Sequence, residues 1–296
     1  LYRVALATHL PSFSFLTGLL NIVNKVGTGH HNYLLGQLSD VGWWYYFPVA
    51  MLVKTPVATL LVSLLSLAAL RRRAAWEYRL LLIPVGLFLG ISMLSRVNIG
   101  LRHILPVYPF LLLLGPAVLF RELKGKLGRG FPVLVGLVVF GIVAESAAVH
   151  PHYLAFFNVA AGGPKAGLRY LADSNLDWGQ DLKHLKAWHE KMGSPPLCVQ
   201  YFGTASLEYH RLPSMGLPMN GPAEDWDRVD CYVAASATVL SGAYSNNFGV
   251  ARLRKMTMVD NIGHSIYVYD LRQPAPQRPK RPIKTAPRGG RFAGRG

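Results

Sequence analysis

The feature that most constrains this chain is the apolar character of residues 43–149, interrupted only by short basic loops. A helix that crosses the hydrocarbon core of a bilayer needs about 20 apolar residues, with roughly 17 as the short limit. Four stretches approach that length, at about 47–70, 80–94, 104–120 and 131–149. The second is short, but Arg79 and Arg96 flank it, and long basic side chains can reach the interface from a helix end. The expected fold class is a polytopic α-helical membrane protein with about four transmembrane helices, followed by a small extracytoplasmic α/β domain.

Orientation follows from the loops. Arg71, Arg72 and Arg73 join the first two stretches, and Arg121, Lys124, Lys126 and Arg129 join the last two. Short loops rich in Lys and Arg stay in the cytoplasm. On that rule the loop 96–103 faces outward, as do residues 1–42 and everything after His150. The segment 1–42 reads as an outward juxtamembrane loop or amphipathic helix, because its apolar part, 11–26, is broken by Ser, Thr, Gly and Asn. Trp43, Trp44, Tyr45 and Tyr46 then mark the lipid–water boundary. The expected location is the cell (inner) membrane, multi-pass, with the C-terminal domain outside the cytoplasm. The chain starts with Leu and shows no signal-peptide pattern, so it reads as a protein entered in mid-loop.

The net charge of +16 raises the question of nucleic acid, and its distribution answers it. Residues 149–272 hold eleven basic and eleven acidic side chains, so that region is neutral. Residues 273–296 carry seven Lys/Arg and no acid, and the remaining excess lies at the ends of the apolar stretches. A nucleic-acid binder concentrates basic charge on a folded face, which excludes that partner class here. The tail is too rich in Pro, Gly and Arg to bury a core and is expected to be disordered. It suits anionic head groups or envelope polymers, or has no role.

The neutral region, 150–272, mixes helix and strand patterns. Helices are expected over 164–172 and 177–192, the second with Leu182, Leu185 and Trp188 at helical spacing and Asp177 capping its start. Strands are expected at 199–202, 231–234 and 265–269. Cys198 and Cys231 each sit in a strand-like run. They read as two buried small hydrophobes or as a disulfide, the latter requiring an oxidising compartment.

Several residues stand out chemically. Lys54 interrupts the first apolar stretch, and Pro48 and Pro56 flank it. A charge inside an apolar span marks a functional site by default, or else snorkels to the boundary. Carbonyls freed by proline need partners, so this stretch should pack against protein or line a cavity. Arg96, Arg102 and His103 add cationic character in the next outward loop, at the depth of a lipid phosphate. Guanidinium donors match phosphate oxygens, although the same residues can simply anchor span ends. Asp40 and Glu145 are lone acids near the boundary and weak candidates for a general base. Asp173, Asn175, Asp177 and Trp178 lie in the densest polar run, 173–181, which could hold a sugar or form a helix start around a buried Trp. His30 and His31 are adjacent and point apart, and His103, His150 and His152 show no ligand spacing, so no metal is expected. No P-loop, dinucleotide fingerprint, nucleophile elbow or zinc motif occurs.

Three strings together resemble one family. They are Gly29–Gly36 (GHHNYLLG) continuing through Gly42–Ala50 to Lys54-Thr55-Pro56; Arg102–Pro109 (RHILPVYP); and Tyr153–Asn158 (YLAFFN) with Gly162–Pro164 and Asp173–Asp181. They look like bacterial protein-O-mannosyltransferase-like glycosyltransferases of the GT-C superfamily, over most of residues 10–272 and more loosely after Leu182. The resemblance implies the C-terminal part of a polytopic enzyme that moves a sugar from a polyprenyl-phosphate donor to a protein, lipid or glycan acceptor on the extracytoplasmic face. It implies no cofactor beyond the lipid-linked sugar as co-substrate. The family's acidic base lies in an outward loop of the N-terminal half, so it maps onto no residue of this chain. By position Lys54, Arg102 and His103, with Arg96 nearby, would face the donor phosphate. Two other readings compete: half of a lipid or solute transporter, which predicts a polar path between helices, and a non-catalytic anchor displaying the α/β domain.

Overall fold

The computed structural model describes residues 15–18, 20–21, 29–73, 76–213, 215–244 and 248–272. The basic tail 273–296, most of the expected amphipathic segment and the side chains of Arg71, Arg72 and Arg73 lie outside the described residues.

The chain first forms a hairpin, β1 (Asn32–Leu34) with β2 (Gln37–Ser39), paired antiparallel. Leu35 and Gly36 turn it with φ of 52° and 81°, the positive values that a two-residue hairpin turn demands. Five helices follow: α1 (Tyr46–Lys54), α2 (Val57–Arg73), α3 (Trp76–Leu94), α4 (Val107–Leu127) and α5 (Gly130–Ala148). Helix α4 packs on both α2 and α3, and α5 packs on α2 and α4. At the closest point a Cβ on Gly115 would sit 2.7 Å from Val62, and Ser66 donates to the Gly115 carbonyl at 3.1 Å. Small residues let helix backbones approach in this way.

The four-span expectation is overturned. Among the described residues only α5 is long and apolar enough to cross a membrane, and almost none of it is buried inside the protein. The run 47–70 is split at Thr55–Pro56 into the nine-residue α1 and the 17-residue α2. Proline offers no N–H and forces its predecessor out of the helical region, and Thr55 is accordingly extended at φ −102°, ψ 136°. The run 80–94 belongs to α3, whose apolar part, Tyr78–Leu94, falls just short. The run 104–120 begins in a separate 3-10 turn (Leu101–Ile104), and the last two turns of α4 carry Arg121, Glu122, Lys124 and Lys126. Counting apolar residues joined segments that the backbone keeps apart. What the apolar composition does produce is a broad exposed surface, including Leu61, Leu64, Ile83, Ile91, Leu113 and Phe140.

The second half is α/β. Strands β3 (Leu197–Gln200), β4 (Tyr232–Ser236), β5 (Asp260–Ile262) and β6 (Ile266–Asp270) form one sheet in the order β3-β4-β6-β5. The β3–β4 pair is parallel and the other two pairs are antiparallel. Alternate residues face opposite sides. Leu197, Val199, Tyr232, Ala234, Ile266 and Val268 pack with Leu182 and Leu185 of helix α6 (Leu182–Lys191). Cys198, Val233, Ala235, Tyr267 and Tyr269 belong to a core that continues through Leu171 and Leu176 to Tyr46, Phe47 and Ile104. The sheet is thus covered on both sides, which is why β3, β4 and β6 read as apolar runs, whereas the short β5 (Asp-Asn-Ile) carries no such signal. Helices α7 (Ala237–Ser241) and α8 (Phe248–Lys255) complete this half.

The expected strands appear with ends shifted by one or two residues. The expected helix 164–172 is instead a 3-10 turn (Pro164–Ala166) and a four-residue turn of helix (Gly167–Tyr170). The expected helix 177–192 starts only at Leu182; the Asp177 carboxylate closes a turn on the Gly179 N–H and with its other oxygen accepts the Thr238 N–H. Of the two cysteine readings, the structure takes the disulfide: Cys198 in β3 bonds Cys231 just before β4, with Cα atoms 6.1 Å apart. The bond closes a loop between residues 33 apart in sequence. Chain-entropy arguments give such a loop about 3–4 kcal/mol of stability. Replacing both cysteines by Ala is therefore expected to lower the melting temperature, and adding reductant to the wild-type protein should reproduce the shift. Equal melting curves for all three would contradict the bond's contribution.

Candidate functional site

The Thr55–Pro56 break leaves backbone groups without helical partners, and the site grows from how they are satisfied. Asn158 donates its side-chain amide to the carbonyls of Leu52 (2.6 Å) and Thr55 (2.8 Å), and its backbone N–H to Val53 (2.9 Å). Glu145, near the end of α5, accepts the Val57 N–H at 3.0 Å and the Val159 N–H at 3.4 Å. Its two oxygens therefore hold the start of α2 and the chain beyond α5 together. This is a stapling arrangement, and Glu145 is not among the residues that line the neighbouring cavity.

Lys54 ends α1 and turns inward. Its ammonium donates to the carbonyls of Leu154 (2.8 Å) and Asn175, and lies 4.6 Å from the centre of the Phe157 ring. Burial draws its pKa down to about 7, while the two carbonyls and the ring face favour the charged form. Two of its three N–H donors are used in this way, leaving one.

Asn175 is the hub. It is fully buried, accepts the Leu101 N–H at 2.9 Å and donates to the Tyr46 hydroxyl at 2.8 Å. Next to it the Ser174 hydroxyl donates to the Ile99 carbonyl. These bonds fix the loop that carries Arg102 against the polar run 173–181. Farther back, Asn32 anchors the same loop by donating to the Arg96 carbonyl (3.0 Å) and accepting the Asn98 N–H (2.6 Å).

Lys54, Arg102, Leu105, Ser146, Ser174 and Asn175 are among the residues lining one cavity of about 390 Å³. The exposed Arg102 guanidinium lies over the half-exposed Trp178 ring at 5.1 Å and makes no hydrogen bond to another described residue. Trp178 in turn meets Phe202 edge-on, and Phe202 stacks on Tyr244 with centroids 5.0 Å apart. The Tyr244 hydroxyl donates to Asp173, whose backbone holds a left-handed φ of 55°. A non-glycine in that region is strained, and such positions gather at binding sites. Burial first, and then the Asp173 carboxylate, push the Tyr244 phenol well above its ordinary pKa.

A second, almost wholly apolar cavity of about 290 Å³ is lined by residues of α1, α2, α3 and α4, including Leu52, Thr55, Leu60, Val85 and Tyr108. Lys54 and Thr55 are consecutive, so one lines each cavity. Thr55 and Tyr108 join their hydroxyls at 2.7 Å.

Of the residues singled out in the sequence, Lys54, Arg102 and Asn175 meet at the first cavity, with Trp178 beneath Arg102. His103 tilts against Phe47 at 6.4 Å and does not line the cavity, and neither does Arg96. Asp177 is fully buried and accepts the N–H groups of Gly179 (3.0 Å) and Thr238 (3.1 Å), pinning the start of α7; burial pushes its pKa up. Asp40 lies at a different surface, paired with His31 at 2.7 Å where both are exposed. Sequence reasoning missed Tyr244. It gave no site role to Tyr46, read only as part of the aromatic boundary cluster, or to Asn158, the last residue of the YLAFFN string; the carbonyls freed at Pro56, which need amide donors, are the signal that would have singled out Asn158. Comparison with protein-family models, with curated proteins and with solved structures finds no match to this chain.

If Asn175 is the hub, Asn175→Ala leaves the Leu101 N–H and the Tyr46 hydroxyl buried without partners. The expected loss is about 2–4 kcal/mol, read from chemical denaturation of the detergent-solubilised chain. A change within error of zero would remove Asn175 from that role.

Proposed function

We propose that this chain forms the donor-phosphate part of a membrane glycosyltransferase, one that takes its sugar from a polyprenyl-phosphate donor on the extracytoplasmic side. The observation that carries this reading is the pairing of the two cavities. One presents Arg102 and the remaining donor of Lys54, and the other, beginning at the next residue, is apolar. An amphiphile with an anionic head and a long hydrocarbon chain matches that division. The phosphate meets a guanidinium that lies over the Trp178 ring, and the polyprenyl chain meets α1–α4.

In such a transfer an acceptor hydroxyl attacks the anomeric carbon and the sugar–phosphate bond breaks. The negative charge that develops on the leaving polyprenyl phosphate is stabilised by cations already in place. Arg102 and Lys54 take that part. The half-exposed Trp178 offers ring surface suited to an apolar sugar face. The acceptor's proton goes to a carboxylate, and none in this chain is assigned that role. Two further features support the setting. The exposed apolar surface of α2–α5 fits lipid contact, with α5 long enough to span. The Cys198–Cys231 disulfide fits an oxidising compartment for the α/β half.

Arg102 is exposed, so Arg102→Ala should fold normally. Loss of a charge-assisted phosphate contact is expected to weaken polyprenyl-phosphate binding roughly 10–100-fold. The same measurement with Lys54→Met should give a similar loss. Binding measured on the chain in lipid nanodiscs decides the matter. Wild-type affinity in both variants would sink the donor reading and move the anchor reading ahead.

A further inference from the structure

Outside the donor site, a second polar cluster joins three segments distant in sequence. His152 lies just beyond α5, Asp181 and His184 lie at the start of α6, and Gly263–Ser265 turn β5 into β6. His152 Nδ1 is 3.1 Å from Asp181 Oδ1, and His184 Nδ1 is 2.9 Å from the same oxygen. The two imidazole rings are 4.7 Å apart, and one ligand atom from each of the three residues falls within a sphere of contact no wider than 4.8 Å.

The surroundings are built to hold this carboxylate. Its other oxygen, Oδ2, accepts the Ser265 hydroxyl at 2.6 Å and the Gln180 amide at 3.1 Å. Gly263 presses its backbone against the carboxylate so closely that a Cβ would meet it at 2.2 Å, and its φ of 59° is one that glycine adopts without strain. The next residue, His264, is also left-handed at φ 64°, and its ring lies 6.0 Å from that of His152. Its Nδ1 is buried and has no hydrogen-bond partner. Buried ring nitrogens are normally paired, so this orphan calls for an explanation.

We infer that His152, Asp181 and His184 form a binding site for a first-row divalent cation of the Zn²⁺ type, with His264 as a third imidazole beside it. Two imidazoles and one carboxylate are the borderline donor set that Zn²⁺ takes. Tetrahedral zinc at bond lengths near 2.0–2.1 Å holds its ligand atoms about 3.3 Å apart. The two N···O separations of 2.9 and 3.1 Å are a few tenths of an ångström short of that, and all three ligand atoms lie within 4.8 Å of one another. Ser265 and Gln180 supply the outer hydrogen bonds that orient a ligating carboxylate. His184 is half-exposed, which gives the ion a path in from solvent. Bound there, the cation braces the chain leaving α5, the start of α6 and the β5–β6 turn. None of the three ligand residues lines the donor cavity, and the test reads metal rather than lipid, so each can fail alone.

The test uses the full chain, without a polyhistidine tag, purified in detergent and stripped with chelator. Zn²⁺ is added, excess is removed, and retained metal is measured by mass spectrometry alongside the melting temperature. Co²⁺ serves as a second probe, because its visible absorption reports nitrogen and oxygen ligands. The expected result is about one zinc per chain, a raised melting temperature, and loss of both in His184→Gln and Asp181→Asn. His184→Gln replaces a half-exposed side chain, so it tests the site even if Asp181→Asn folds poorly. His31→Gln, at a distant surface, should retain the metal. No retained zinc in the wild-type chain overturns the proposal, as does equal retention in His184→Gln. In either case the cluster is two imidazoles hydrogen-bonded to one carboxylate.

Discussion

The interruption of the first apolar run at Thr55–Pro56 is the constraint on which the rest of this structure depends. A continuous helix satisfies its own backbone and needs nothing from outside. Proline removes one donor and turns Thr55 extended, so carbonyls at the end of α1 and the first donor of α2 must find partners in an apolar setting. An unpaired buried backbone group costs about 1–3 kcal/mol. The partners come from far along the chain: Glu145 from α5 and Asn158 from the segment that follows it. The same break ends α1 at Lys54 with its side chain pointing inward, where Leu154 and Asn175 receive it. One missing N–H thus draws the helical layer and the α/β half into a single polar seam. The cavity that holds Lys54 and Arg102 opens along that seam.

This origin explains what could be read from the sequence. Lys54 and Pro56 within an apolar run announce a charge and freed carbonyls that need protein around them, and both have it. Run length is a poorer guide. It takes no account of where the backbone breaks, so 47–70 counts as one span although Thr55–Pro56 divides it, and 104–120 counts as another although it straddles a 3-10 turn. The strands were legible because β4 and its neighbours are buried on both faces and show it as apolar runs. Helices in the α/β half were less so. Asp177 resembles a cap for its own segment, yet its carboxylate serves Thr238, 61 residues on.

The contacts that the sequence left open or did not show share one property: their members are far apart and meet through topology. Cys198 and Cys231 each look like an ordinary strand residue, and only the parallel pairing of β3 with β4 brings them side by side. His152 and Asp181 are 29 residues apart, and the turn that completes their surroundings lies some 80 residues further on. The local traces were there in Asp181 and His184 at one helical turn, and in Gly263 beside His264. Neither trace means anything until the β5–β6 turn is folded over α6.

Within the cavity the two cations are not equivalent, and burial is the reason. Lys54 is already bound to two carbonyls and a ring face, so it fixes the loop around Asn175 as much as it offers charge. Burial draws its pKa down to about 7, and the two carbonyls and the ring face oppose that by favouring the charged form. The Arg102 guanidinium is exposed, and its hydrogen-bonding edge is not committed to another described residue. Trp178 orients that edge without competing for its donors. Arg102 is thus the cation with an open hydrogen-bonding edge, and Lys54 is the one already committed to the fold.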